Sequence, residues 1–303
     1  MKQAPPSRPH GKGQPKAARN QPVLSEIRPG QSIELLKELH ILTRDAKINQ
    51  DSRRKLKQVY HLYQFIEKIL TELEGRNTGQ AGGLGVRVAD HGAGKSYLGF
   101  ILYDLFFRAR AEGWVFAVEW RPELVQSAQA LAQRLGFDRM SFVNLSVSEA
   151  ASSDLLPQTI DLVTALHACD TATDDAIAFG LKKRAQFMVL VPCCQAELAR
   201  VLNAGKAIRL GRSSLAELWR HPLHARELGS QLSNVLRCLY LEASGYQVTV
   251  TELVGWEHSV KNELILARFN GRCQVKSGDR LLEILEQFGL QELLATRFGG
   301  LVR

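Results

Sequence analysis

The sequence predicts an α/β fold: a parallel sheet covered by helices, closed by a late antiparallel hairpin and preceded by a helical extension. Three observations predict it. Short apolar runs alternate with helical stretches between residues 86 and 191. Two further strand-like stretches, 247–253 and 263–269, are joined by a short polar loop. Apolar residues from Ile33 to Leu73 recur at three- and four-residue steps. The first pattern argues for parallel strands with crossover helices, the second for a hairpin at a sheet edge, the third for helices ahead of the sheet.

The elements follow in order. Residues 1–25 carry Lys2, Arg8, Lys12, Lys16 and Arg19 and no acid, which is five of the eight net positive charges of the 303-residue chain. The stretch is rich in proline and poor in large apolar residues, so burial cannot offset its ordering entropy. Residues 1–30 read as a disordered basic arm, either a solubilising tail or a grip on nucleic-acid phosphates. Residues 31–78 read as a helical region, interrupted by the basic stretch "RDAKINQDSRRKLKQ". The Gly-rich "EGRNTGQAGGLG" reads as a linker. Strands are expected at 86–89, 114–118, 141–145, 160–166 and 187–191, with helices at 97–110 and 122–135. The main domain spans 79–272, and 273–303 is a helical segment with an amphipathic stretch from Arg280 to Phe298. No run approaches eighteen apolar residues, so no membrane span is expected. Five cysteines without CxxC spacing argue against a disulfide framework and a zinc ribbon, and a reducing cytoplasm fits them best.

The stretch "VRVADHGAGKSYLGF" carries the chemistry. Its tail, Gly94-Lys95-Ser96, matches the end of a phosphate-binding P-loop, but Ala89 stands where the first Gly of that loop belongs. The dinucleotide fingerprint fails as well, because Tyr97 occupies the position of the third Gly. Its head, Asp90 with Gly92 and Gly94, fits a loop for S-adenosyl-L-methionine. Two glycines let the backbone turn tightly against a ligand, and Asp90 meets the cationic amino-acid end. Glu119 ends the next apolar run, in "WVFAVEW", where a carboxylate can accept both ribose hydroxyls. The predicted fold is then a Rossmann-like class I methyltransferase sheet.

Further along stand "LHACDTATDDAI", "VPCCQAEL" and a late "EHSVKN". With the Asp-x-Gly-x-Gly-Lys-x-Tyr-Leu loop, these segments resemble a family of bacterial methyltransferase-domain proteins. The superfamily includes eukaryotic tRNA ribose 2′-O-methyltransferases, and the resemblance covers roughly residues 50 to 270. It implies the cofactor S-adenosyl-L-methionine and places Glu257, His258, Lys261 and Asn262 in one segment. His91 and Ala93 stand where the family often has Cys or Gly. Asn144 and Ser146 stand where its third strand often ends in an acid, so Ser146 or a backbone amide is the expected adenine contact.

His167 and Asp170 exit the fourth strand where this fold holds the methyl acceptor. Either can serve as base, and His167 also borders the cofactor. The alternative for His167 is a polar anchor of the loop. Asp174 reads as an N-cap or first-turn acid of the next helix. Cys193 and Cys194 end the fifth strand and read as packing beside the site, with a nucleophile or a metal ligand as alternatives. No metal is expected. His258, Lys261 and Asn262 sit in the hairpin loop and read as substrate contacts. Between residues 204 and 240 lie Lys206, Arg209, Arg212, Arg220, His221, His224, Arg226 and Arg237 with Trp219 interleaved, a candidate nucleic-acid surface. The expected function is S-adenosyl-L-methionine-dependent methylation of RNA. A protein or small-molecule acceptor, or an RNA-binding module that keeps the fold without catalysis, are the alternatives.

Overall fold

The structure is a computed structural model, and it describes residues 26–77, 85–166, 168, 170–192, 196–203, 214–253 and 263–301. The chain divides at Gln31 into two units. In the first, residues 26–31 form a turn in which the Gln31 N–H donates to the Arg28 carbonyl at 3.2 Å. The basic arm expected at residues 1–25 lies outside the described residues.

The second unit begins with α1 (Ile33–Glu38), capped by the Ser32 hydroxyl on the Leu35 N–H, and the long α2 (Gln50–Asn77). One face of α2 is apolar: Leu56, Leu62, Tyr63, Ile66, Leu70 and Leu73 are all buried. Helix α2 continues into the stretch read as a linker, to Asn77.

Seven strands form one sheet in the order β3-β2-β1-β4-β5-β7-β6. The strands are β1 (Arg87–His91), β2 (Trp114–Glu119), β3 (Met140–Asn144), β4 (Leu162–Leu166), β5 (Phe187–Val191), β6 (Tyr246–Glu252) and β7 (Glu263–Phe269). The first five are parallel, and β7 runs antiparallel between β5 and β6. This is the expected Rossmann-like methyltransferase sheet with its late hairpin. β5 reads Phe-Met-Val-Leu-Val and is buried along its whole length, as a strand covered on both faces must be. β6 is the edge, and most of its residues after Tyr246 are partly or fully exposed.

Among the described residues follow helices α3 (Tyr97–Leu102), α4 (Pro122–Leu135), α5 (Val147–Ala150), α6 (Ala172–Lys182), α7 (Ala196–Asn203), α8 (Pro222–Ala243), α9 (Val275–Gln287) and α10 (Glu292–Arg297), with a 3-10 turn at Ser214–Trp219. Helix α4 shows how sequence sets its ends. Pro122 starts it, where a missing N–H costs nothing. Gly136 ends it at φ +67°, and the Phe137 N–H reaches back to the Ala132 carbonyl at 2.9 Å. Helix α3 stops at Leu102 and passes into a π-turn, Tyr103–Phe107, which ends short of the residue 110 expected from periodicity.

Strand order reverses between β1 and β4, which are neighbours although three strands apart in sequence. The crevice at the carboxyl ends of these two strands is where open α/β sheets bind ligands.

Candidate active site

β1 runs two residues beyond the expected apolar run, so Asp90 and His91 are strand residues. Asp90 pairs in register with Ala117 on one side and Thr164 on the other. Its carboxylate accepts the Thr164 hydroxyl at 2.7 Å and the Gly99 N–H in α3. A Cβ on Gly99 would lie 2.6 Å from the Ser96 hydroxyl and 3.6 Å from an Asp90 oxygen, so the helix approaches this closely only with Gly there. Burial is the main influence on Asp90. It outweighs both hydrogen bonds and pushes the carboxyl up to about 7.

His91 points into the core against Phe179, with ring centroids 4.1 Å apart. Neither ring nitrogen has a hydrogen-bond partner, and burial lowers its pKa to about 3, so the imidazole is neutral. The chain then turns through Gly92 at φ +61° and Gly94 at φ +58°, a region L side chains rarely enter. The Ala93 N–H donates to the Val118 carbonyl at 3.2 Å, which ties the turn to the end of β2.

Glu119 ends β2 and is almost wholly buried. One of its oxygens accepts the Gly94 N–H at 2.7 Å. Arg121 folds back and grips both oxygens, Nε to Oε1 at 2.7 Å and Nη2 to Oε2 at 3.3 Å, while its N–H adds a bond at 3.2 Å. Burial alone would raise the Glu119 pKa. The Arg121 guanidinium and the two backbone N–H donors outweigh it and hold the carboxyl below its usual range. Asn144, at the end of β3, clamps the β2 exit by donating to the carbonyls of Glu119 and Trp120 at 3.1 and 2.8 Å.

A cavity of about 430 Å³ opens over the turn. Asp90, Gly92, Gly94 and Lys95 line its floor, and Leu166 at the end of β4 and Leu253 line it too. Lys55, Gln58 and Val59 of α2 line it as well. Arg121 is among the lining residues and Glu119 is not, because the guanidinium covers the carboxylate. Sequence reasoning missed Arg121. The only linear signal was a cation two residues after the acid.

Ser146 lies beyond β3 and caps α5, its hydroxyl accepting the Glu149 N–H at 3.4 Å. Its hydroxyl and N–H both donate to Glu149, at 2.5 and 2.9 Å. Asp170 adopts φ +54° and spends its carboxylate on α7, accepting the Glu197 N–H at 2.9 Å and Arg200 at 3.1 Å. Asp174 stands in the first turn of α6, as expected, and its partner is Arg237. Arg237 corrects the reading of residues 204–240 as one basic surface. It is 1% exposed, donates to both Asp174 oxygens at 2.8 and 2.6 Å and to the Asp170 carbonyl at 2.9 Å, and so faces the core. Arg220, His221, His224 and Arg226 are exposed. His167, Cys193, Cys194, Glu257, His258, Lys261 and Asn262 lie outside the described residues, as do Lys206, Arg209 and Arg212. Among the described residues no group of three or more His, Cys, Asp or Glu could hold a metal ion, and no helix is long and apolar enough to cross a membrane.

Residues 54–201 match the family model of a methyltransferase domain. That match covers most of α2, both acids, the glycine turn and the strands through β5. It implies S-adenosyl-L-methionine as the cofactor. Solved structures similar in fold include a fibrillarin pre-rRNA processing protein of Methanococcus jannaschii, at 10% identity over 62% of this chain and 67% of that one, with a TM-score of 0.39. Magnesium protoporphyrin IX methyltransferase of Synechocystis, with bound S-adenosylhomocysteine, aligns at 15% identity over 78% and 94%, with a TM-score of 0.41. TrmK of M. capricolum, also with S-adenosylhomocysteine, aligns at 10% over 72% and 82%, with a TM-score of 0.38. No similar protein was found among curated sequences.

The residues present fit that cofactor. The cavity volume is in the range of small-molecule sites. Both glycines lie at positive φ, where a side chain would be strained. Two carboxylates, Asp90 and Glu119, flank the turn. The site fits a nucleotide triphosphate poorly. Ser96, which a P-loop would turn toward a magnesium ion, is 1% exposed with its hydroxyl packed against Gly99.

Proposed function

We propose that this chain is an S-adenosyl-L-methionine-dependent methyltransferase of the bacterial type that its LHACDTATD and PCCQ segments resemble, and that its acceptor is RNA. One observation carries the reading: the Gly92–Gly94 turn sits between Asp90 and Glu119 at the carboxyl ends of adjacent strands, beside the switch point, under a cavity of about 430 Å³.

When bound, the cofactor supplies an electrophilic methyl group. Asp90 holds its ammonium group, Gly92 and Gly94 admit its backbone-facing side, and Glu119 accepts the ribose hydroxyls once Arg121 releases it. Arg121 is 43% exposed and Glu119 4%, so the guanidinium can swing into solvent while the ribose hydroxyls take over as donors to the buried carboxylate, which then keeps its hydrogen bonds. Ser146 and the start of α5 border the adenine. Arg237 and Asp170 fix the loop after β4, and His167 on that loop takes the acceptor proton. Cys193 and Cys194 pack beside it, and His258, Lys261 and Asn262 contact the substrate.

The test is transfer of labelled methyl from the donor onto total RNA or onto total protein. Label in RNA, lost with His167→Ala while cofactor affinity is kept, supports the reading. Label in protein alone would assign a different acceptor.

A further inference from the structure

The loop before α2 and its first two turns carry Arg44, Lys47, Arg53, Arg54, Lys55 and Lys57 against the two acids Asp45 and Asp51. All but the half-buried Arg53 are exposed. The arrangement follows from the helix itself. Leu56 is 2% exposed and faces inward with the apolar stripe of α2, which turns its sequence neighbours Lys55 and Lys57 outward.

Two cavities meet at this segment. Lys55 lines the cavity over the glycine turn. Lys37 and Arg44 line a second, open cavity of about 700 Å³, which Glu34 and Glu38 also line. Ile41 lines both, so the two adjoin. Glu38 is paired with Arg134 at 3.0 Å. Lys95, exposed on the glycine turn, adds a further cation to the lining of the first cavity. Trp120, 69% exposed, adds an aromatic face next to Glu119 in the chain.

We infer that this cationic segment is the RNA-docking surface of the enzyme, laying a strand across the larger cavity so that one splayed nucleotide enters over the glycine turn. The inference rests on the methyltransferase reading above and names the surface that reading left unassigned. A polyanion matches the excess of cations, and a basic rim with an exposed aromatic suits a backbone that must be held while a base is turned out. A membrane surface matches less well, because α2 buries its apolar face and leaves none beside the cations to insert.

The experiment is a salt titration of bulk transfer RNA binding by the full chain and by the variant Arg44→Gln/Lys47→Gln/Arg54→Gln/Lys57→Gln. These four side chains are exposed and glutamine is a good helix former, so the fold is expected to hold. S-adenosylhomocysteine binding should be unchanged. RNA affinity should fall roughly tenfold or more, and the slope of log K against log salt should flatten by up to about 0.7 for each single-strand phosphate that is no longer neutralised. Single Arg54→Glu and Lys57→Glu variants should move the slope in the same direction. If the parent binds RNA and all variants keep its affinity and slope, this surface is overturned while the RNA reading stands on another face. If the parent binds RNA no better than a neutral polymer and methyl label appears in protein, the RNA reading falls and the surface falls with it.

Discussion

Arg121 holds both carboxylate oxygens of Glu119, at 2.7 and 3.3 Å, and stands between that carboxylate and the cavity. Arg121→Ala should therefore tighten S-adenosylhomocysteine binding, because the ligand hydroxyls no longer compete with the guanidinium for the carboxylate. Glu119→Gln should weaken it, since the amide nitrogen cannot accept a hydroxyl proton. Calorimetry on both variants checks this. A large loss of affinity with Arg121→Ala would mean that the guanidinium itself holds the ligand.

Asp90 gives the binding a pH dependence. Its carboxyl titrates at about 7 in the free chain because it is buried. A ligand ammonium stabilises the ionised form, so binding near pH 6.5 should release a proton. Affinity should rise by up to about tenfold per pH unit below 7 and level off above it. Calorimetry in two buffers of different ionisation enthalpy counts that proton. In Asp90→Asn the release should vanish.

The neighbours Asp90 and His91 should act oppositely on stability. Asp90 has a folded pKa above its usual value, so its contribution is present at low pH and is lost as pH rises from about 4 to about 7. His91 has a folded pKa below its usual value, so its contribution is present above about 6.5 and is lost as pH falls toward 3. The two slopes cancel between about pH 4 and 6.5, each being about 1.4 kcal/mol per pH unit at full effect. Relative to the parent, Asp90→Asn should gain stability as pH rises through this window, and His91→Phe should lose it. Urea unfolding at the two ends of the window measures both, and parallel profiles in all three proteins would contradict the burial of these groups.

The same pair shows where sequence reading stops. Residues 86–89, Val-Arg-Val-Ala, are mostly apolar and read as strand, while Asp90 and His91 are polar and read as loop. They are strand because Ala117, Val118 and Thr164 on adjacent strands pair with them, information that no local window holds. Helix α4 was legible to the residue, because Pro122 and Gly136 mark its ends chemically. The five parallel strands and the hairpin were legible from their strand-like stretches. Arg237 was not, because a basic residue between other basic residues looks like surface until Asp174, 63 positions away, meets it in the core. The bonds from the Ser146 hydroxyl and N–H to Glu149, three residues on, were not legible either, because Ser146 was read for a ligand contact and not for a local cap.

Arg237 is the buried partner of Asp174, and also donates to Asn234, which in turn donates to Glu263 of β7. Arg237→Ala strands an acid in a nearly dry setting. Loss of one partner of such a pair costs about 3–5 kcal/mol. Thermal and urea midpoints should fall accordingly, and Asp174→Asn added to Arg237→Ala should recover part of the loss. A change under about 1 kcal/mol would show that the pair is solvated.

Calorimetric titration of the full chain with S-adenosylhomocysteine, and separately with ATP and magnesium, tests the site assignment most directly. The account predicts one site for S-adenosylhomocysteine, with affinity between roughly micromolar and sub-millimolar, or about −8 to −5 kcal/mol, and no heat from ATP. Tight binding of magnesium ATP with none of S-adenosylhomocysteine would contradict it and return Gly94-Lys95-Ser96 to a phosphate-binding role.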